Sequence, residues 1–187
     1  MPGASRRFFD LWSRVYDIPV VQALTYRPVQ DAVFARVRDR RPQRILDVGC
    51  GTGLLTKRLA RELAVPVTGI DYSIGMLEAA SGRHAGVSWV QADAMALPLR
   101  DEVADTLVCT ESFHWYADQE RALREFARVL VPGGLVAISY SVGARTPIWV
   151  PPRRLQRGLE QRGFAHVADF AAGPGLAGRR NLCAFTA

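Results

Sequence analysis

At 187 residues with 49% apolar content, the chain is long enough to build one full core without metal or disulfide staples. Its three cysteines, Cys50, Cys109 and Cys183, have no paired spacing, which argues against a disulfide framework and a zinc site and fits a reducing cytoplasm. The net charge of +6 rests on arginine, with Lys57 the one lysine, and because the arginines are scattered a solvated surface is favoured over a nucleic-acid patch.

No signal-peptide pattern and no span-length apolar run is present, so the expectation is a soluble, cytoplasmic protein without a transmembrane segment. Residues 5 to 40 carry Phe8, Phe9, Trp12, Tyr16, Val29, Val33, Phe34 and Val37 at helical spacing, interrupted by Pro19 and Pro28. Two or three short helices are expected there, in front of a sheet.

From Arg44 the pattern changes to β-branched runs separated by helical stretches: 44–48, 65–70, 87–91, 104–110 and 135–140. Alternation of this kind predicts right-handed crossovers and a mostly parallel, doubly wound α/β sheet with helices on both faces. Residues 94–103, with Pro98, read as a loop. Pro132-Gly133-Gly134 reads as the stop of a helix ending near Leu130 and a turn into the next strand. After Pro151-Pro152 come a helix to about Arg162, an apolar stretch 164–170, a Gly173-Pro174-Gly175 turn region and a last run 182–185. Those two runs, joined by a short connection, predict a terminal antiparallel hairpin. The organisation is a single domain over 1–187, with a helical lid or cover in 1–40 and a cofactor-binding core in 41–187.

The segment Ile45-Leu46-Asp47-Val48-Gly49-Cys50-Gly51-Thr52-Gly53 is a buried strand running into a glycine turn, followed by a helix over about 54–63. Glycines there let the backbone bend tightly and approach a ligand where a Cβ would intrude. Nicotinamide and flavin enzymes use a related turn, but their fingerprint places a glycine where Leu54 stands here. Asp47 beside the turn would repel a pyrophosphate, yet can hold the ammonium group of an amino-acid-like ligand. Asp71, at the end of the second strand, is placed to accept hydrogen bonds from ribose hydroxyls. Asp93, at the end of the third, suits the exocyclic amine of adenine. Helix capping is the alternative for Asp71 and Asp93 taken singly; three acids at three consecutive strand ends favour a ligand.

Together with Phe113-His114-Trp115 after the fourth strand and Arg128-Val129-Leu130-Val131-Pro132-Gly133-Gly134, these residues resemble the class I S-adenosylmethionine-dependent methyltransferases. The group resembled is the broad one that includes ubiquinone and menaquinone C-methyltransferases, and the likeness spans roughly residues 43 to 140. The resemblance implies a seven-stranded sheet in the order 3-2-1-4-5-7-6 with the last strand antiparallel. It implies S-adenosyl-L-methionine as cofactor, held at its methionine part by Asp47 and the backbone of Gly49, Cys50, Gly51, Thr52 and Gly53. Asp71 would take the ribose, Asp93 with Ala94 the adenine, Tyr72 and Met76 would line the base, and the backbone near Thr110 would receive the ammonium group.

Methyl transfer from a sulfonium needs chiefly alignment, with proton removal for hydroxyl or protonated-amine acceptors. No metal is required. His114 is the best-placed base, with Glu111 a second; a backbone hydrogen bond or a cap is the alternative for each. Phe113, Trp115 and Tyr116 are read either as an apolar wall against the acceptor or as core, and Trp12, Tyr16 and Tyr26 as a closing lid or as core. Only Ser141 to Pro152 is available for an acceptor-binding insertion, so the pocket is open, small or completed by a second subunit. The resulting reading is a methyltransferase for a small-molecule or lipid-like acceptor. The rivals are a nucleic-acid methyltransferase, a non-catalytic subunit of the same fold, and a dehydrogenase. Against nucleic-acid methylation stands Thr110-Glu111-Ser112-Phe113, where enzymes resembling the amino-group DNA methylases carry an Asn/Asp-Pro-Pro-aromatic run.

Overall fold

The computed structural model describes residues 26–81, 87–140, 152–171 and 180–186. In chain order they form α1 (Arg27–Asp39), β1 (Ile45–Val48), α2 (Leu54–Leu63), β2 (Val67–Asp71), α3 (Ile74–Ser81), β3 (Val87–Gln91) and β4 (Ala104–Thr110). A 3-10 turn (Phe113–Trp115), α4 (Gln119–Val129), β5 (Leu130–Tyr140), α5 (Pro152–Glu160), β6 (Phe164–Ala171) and β7 (Arg180–Thr186) follow. One seven-stranded sheet has the order β3-β2-β1-β4-β5-β7-β6. Strands β1 to β5 pair in parallel, and β7 runs antiparallel to both β5 and β6, as the resemblance implied. Because β2 and β4 flank β1 on opposite sides, the connections after β1 and β4 diverge and leave a crevice at their carboxyl ends.

Strand alternation distributes the core. Ile45, Val67, Val108, Leu135 and Ala137 meet α1 and α2 through Val33, Phe34, Val37, Leu55 and Leu59. Leu46, Val48, Ile70, Leu107, Cys109, Val136 and Ile138 meet α4 and α5 on the other face through Leu123, Phe126, Leu155 and Leu159. Asp47, two residues from Ile45, therefore projects to the α2 side, which decides its partner below. Helix α1 is thus part of the sheet's packing; Pro28 opens it from the first turn instead of interrupting it, since a proline there forfeits no intrahelical bond. Residues 1–25, with the expected lid aromatics Trp12 and Tyr16, lie outside the described residues.

Strand β5 begins at Leu130, five residues before the expected start. Ala104 pairs with Leu130 and Thr106 with Leu135, so residues 131–134 bulge opposite Asp105. The Pro132-Gly133-Gly134 run is therefore a bulge inside a strand that has already begun, with Gly133 at φ +77. The loop 94–103 has no helix, as expected. Its order comes from Arg128 on α4, which donates to the carbonyls of Leu97 (3.0 Å) and Leu99 (2.7 Å) and to Asp101 (2.7 Å), and forks onto both oxygens of Glu125.

Candidate cofactor site

The turn after β1 holds Gly49, Gly51 and Gly53 at φ +74, +56 and +73, a conformation that costs any residue with a Cβ. Gly49 and Cys50 donate their N–H groups to the carbonyl of Ile70 (2.7 and 3.0 Å), tying the turn to β2. The space around the turn is set by protein side chains as much as by room for a ligand. A Cβ on Gly49 would stand 2.0 Å from Ser112 Oγ, and one on Gly53 2.3 Å from the indole of Trp89. The same indole lies 2.4 Å from a Cβ placed on Gly69, so β3 closes over the turn and β2 together.

Asp47 is 0% exposed. Thr56 on α2 donates to its Oδ2 at 2.6 Å, while Oδ1 is buried with no hydrogen-bond partner among the described residues. Burial pushes the Asp47 carboxyl up to about 7, the nearby Asp71 charge adds to the rise, and the Thr56 hydrogen bond opposes it. An orphaned carboxylate oxygen in a dry site is costly unless a donor, best a cation, completes it. Lys57, the only lysine in the chain, is 8% exposed and donates from Nζ to the Thr52 carbonyl at 3.0 Å. This ammonium pins the middle of the turn.

Asp71 sits half-buried at the carboxyl end of β2. Its Oδ2 accepts the Gly51 N–H at 2.8 Å and its Oδ1 the Ser73 N–H at 2.9 Å. The cap of α3 is Ser73, whose hydroxyl accepts the Met76 N–H at 3.2 Å, so the capping alternative for Asp71 gives way to a fastening of the glycine turn. Asp93 accepts the Met95 N–H at 2.9 Å and holds a tight turn instead of a helix. Tyr72 is 49% exposed at this edge beside exposed Ile74 and Leu54, whereas Met76, expected to line the base, is 4% exposed and packs inward; Ala94 and Thr52 are also buried. Burial drives the half-buried Cys50 thiol well above its ordinary value, reinforced by the charges of Asp47 and Asp71.

Beyond Thr110, the last residue of β4, Glu111 takes φ +53 and donates its N–H to the carbonyl (3.2 Å) and hydroxyl (3.0 Å) of Ser139. His114 is half-buried with its ring 5.2 Å from that of Trp115. Phe113 is 1% exposed and packs on Tyr116 and Phe126, so the core reading holds for Phe113, while Trp115 and Tyr116 of the expected wall are both half-buried, Tyr116 with its ring against Phe113 and Phe126. No cluster able to hold a metal occurs among the described residues.

Residues 46–138 match the family described as a methyltransferase domain. These residues of the chain form a methyltransferase domain of this family. A demethylmenaquinone methyltransferase of Streptomyces griseus is 37% identical to this chain, over 81% of the chain and 65% of the relative. A malonyl-[acyl-carrier protein] O-methyltransferase of Pseudescherichia vulneris is 36% identical, over 65% and 48%. The chain spans about half the length of the first curated relatives it matches. In fold, it superposes with a TM-score of 0.82 at 19% identity on a structure of the complex between the Haloferax volcanii Trm112 methyltransferase activator and a methyltransferase, covering 97% and 96% of the two chains.

The family is S-adenosylmethionine-dependent, and the residues present fit that cofactor. The orphaned Asp47 oxygen matches an ammonium donor, and Asp71 and Asp93 stand at the next two strand ends. Thr56, Lys57, Trp89 and Ser112 around the turn escaped the sequence reading. The nine-residue separation of Asp47 and Thr56, strand to first helical turn, is the one local signal that could have found any of them. No helix among the described residues is long and apolar enough to cross a membrane.

Proposed function

We propose that the chain transfers the methyl group of S-adenosyl-L-methionine to a small-molecule or lipid-like acceptor. The observation that carries this reading is the buried Asp47, bonded by Thr56 through one oxygen and orphaned at the other, beside three left-handed glycines. When bound, the cofactor supplies a methyl already activated on a sulfonium, which leaves the protein to hold, orient and keep out water. Asp47 and the turn from Gly49 to Gly53 hold the amino-acid end, Asp71 the ribose and Asp93 the adenine, with exposed Tyr72 flanking the base. Thr110 ends the strand facing this group, and His114 accepts a proton where the acceptor has one to lose. Residues 41–187 act as the cofactor-binding core, on whose sheet α1 packs through Val33, Phe34 and Val37.

A small or lipid-like acceptor is supported by the relatives named for demethylmenaquinone and malonyl-acyl-carrier-protein methylation. It is supported also by ion pairing: Arg58, Arg128 and Arg162 are each paired with an acid. Titration with S-adenosylhomocysteine should give micromolar binding that Asp71→Ala weakens at least tenfold. A labelled-methyl screen over quinol, carboxylate and acyl-thioester acceptors should then show incorporation. No binding of S-adenosylhomocysteine, tight binding of a nicotinamide dinucleotide, or incorporation into nucleic acid alone would sink the reading.

A further inference from the structure

The crevice between β1 and β4 is bridged by two hydroxyl groups that the cofactor assignment leaves unused. Tyr116 follows the 3-10 turn, and its ring is fixed edge-on by Phe113 (centroids 5.7 Å, 72°) and Phe126 (6.5 Å, 83°). That grip leaves the hydroxyl facing the strands, where it meets Cys109 Sγ at 3.4 Å and accepts from Ser112 Oγ at 2.9 Å. Both hydroxyls touch the glycine turn: a Cβ on Gly49 would lie 2.0 Å from Ser112 Oγ and 3.2 Å from the Tyr116 oxygen. A phenylalanine at 116 would fill the same aromatic slot, so core packing alone asks for no hydroxyl there. Burial holds the Tyr116 phenol well above its ordinary value, so it stays neutral and serves as a hydrogen-bonding strut.

We infer that Ser112 and Tyr116 are positioning residues that set the spacing between the glycine turn and the loop after β4, and so seat the amino-acid end of the cofactor. The inference rests on the cofactor reading above. It divides the site in two: the nucleoside end depends on Asp71 and Asp93, on the β2 and β3 side, while the amino-acid end depends on a contact between β1 and β4. Loss of the strut should therefore be felt by one end only.

The test is calorimetric titration of the full chain with two ligands, S-adenosylhomocysteine and 5′-methylthioadenosine, which lacks the amino-acid end. Tyr116→Phe should weaken S-adenosylhomocysteine about tenfold and leave methylthioadenosine within about twofold. Ser112→Ala should do the same, and the double variant should lose little more than either single one, because the two hydroxyls act as one unit. Melting temperatures within a few degrees of the parent certify the fold of each variant. Parallel weakening of both ligands, or no change in either, overturns the inference while leaving the cofactor reading intact. A parent protein that binds neither ligand overturns both.

Discussion

Two glycine-bearing segments, Gly49 to Gly53 and Pro132 to Gly134, interrupt the chain beside a strand, and the fold uses them for different ends. Around the first, the directions a Cβ would take are filled by Ser112 and Trp89, and a buried carboxylate beside it keeps one oxygen unsatisfied. Around the second, a Cβ on Gly133 would meet nothing within 4 Å, and one on Gly134 would meet atoms of the bulge and its partner strand, at 2.9 Å from the Val131 carbonyl and 3.1 Å from that of Asp105 on β4. The first turn is held by Ile70, Ser112 and Trp89; the second lets β5 make a bulge. Glycine content does not separate them, whereas the surroundings of each missing side chain do.

Asp47→Asn should break the comparison most completely. Removal of the charge that faces the ammonium should cost on the order of a hundredfold in affinity for S-adenosylhomocysteine. The same change should raise the melting temperature of the unliganded protein at pH 8. With its carboxyl pushed up by burial from the ordinary 3.8 to about 7, Asp47 keeps its proton in the native state between those limits, and stability is lost as pH rises through about 7. Asparagine escapes that loss. Calorimetry and thermal melts at pH 6 and 8 check both halves.

Gly53→Ala and Gly133→Ala sharpen the contrast at a smaller scale. Each accepts a left-handed conformation at about 1 kcal/mol, but the first also drives a methyl into the Trp89 indole and should lose about tenfold in cofactor affinity. The second should show the stability cost alone in urea unfolding, with binding unchanged. Lys57→Met should weaken binding about threefold to tenfold through the freed Thr52 carbonyl, and Lys57→Arg should not rescue it. Smallest is Arg128→Met, which removes the anchor of the loop 94–103: about 1–2 kcal/mol of stability with binding changed by less than about threefold, read by urea unfolding and titration.

Much of the fold is legible in the residues because strand and helix boundaries coincide with local breaks. The run at 87–91 follows Gly86, the run at 104–110 precedes Glu111 and the helix at 54–63 follows Gly53, and their limits agree with the structure. The start of β5 was not legible, since Pro132-Gly133-Gly134 reads as a stop while the pairing of Leu130 with Ala104 depends on a distant strand. In the site, Asp47, Asp71 and Asp93 could be placed from strand ends alone. Their partners could not: Thr56, Trp89, Ser112 and Tyr116 reach the turn through packing between elements, which no periodicity encodes.

The central claim is that Asp47 ionises to receive a cationic end of the cofactor. Calorimetric titration of the parent protein with S-adenosylhomocysteine at pH 6, in two buffers of different ionisation enthalpy, measures it directly. The account predicts release of close to one proton per ligand bound, absent in Asp47→Asn. Binding with no proton release, or undiminished binding by the variant, would contradict it.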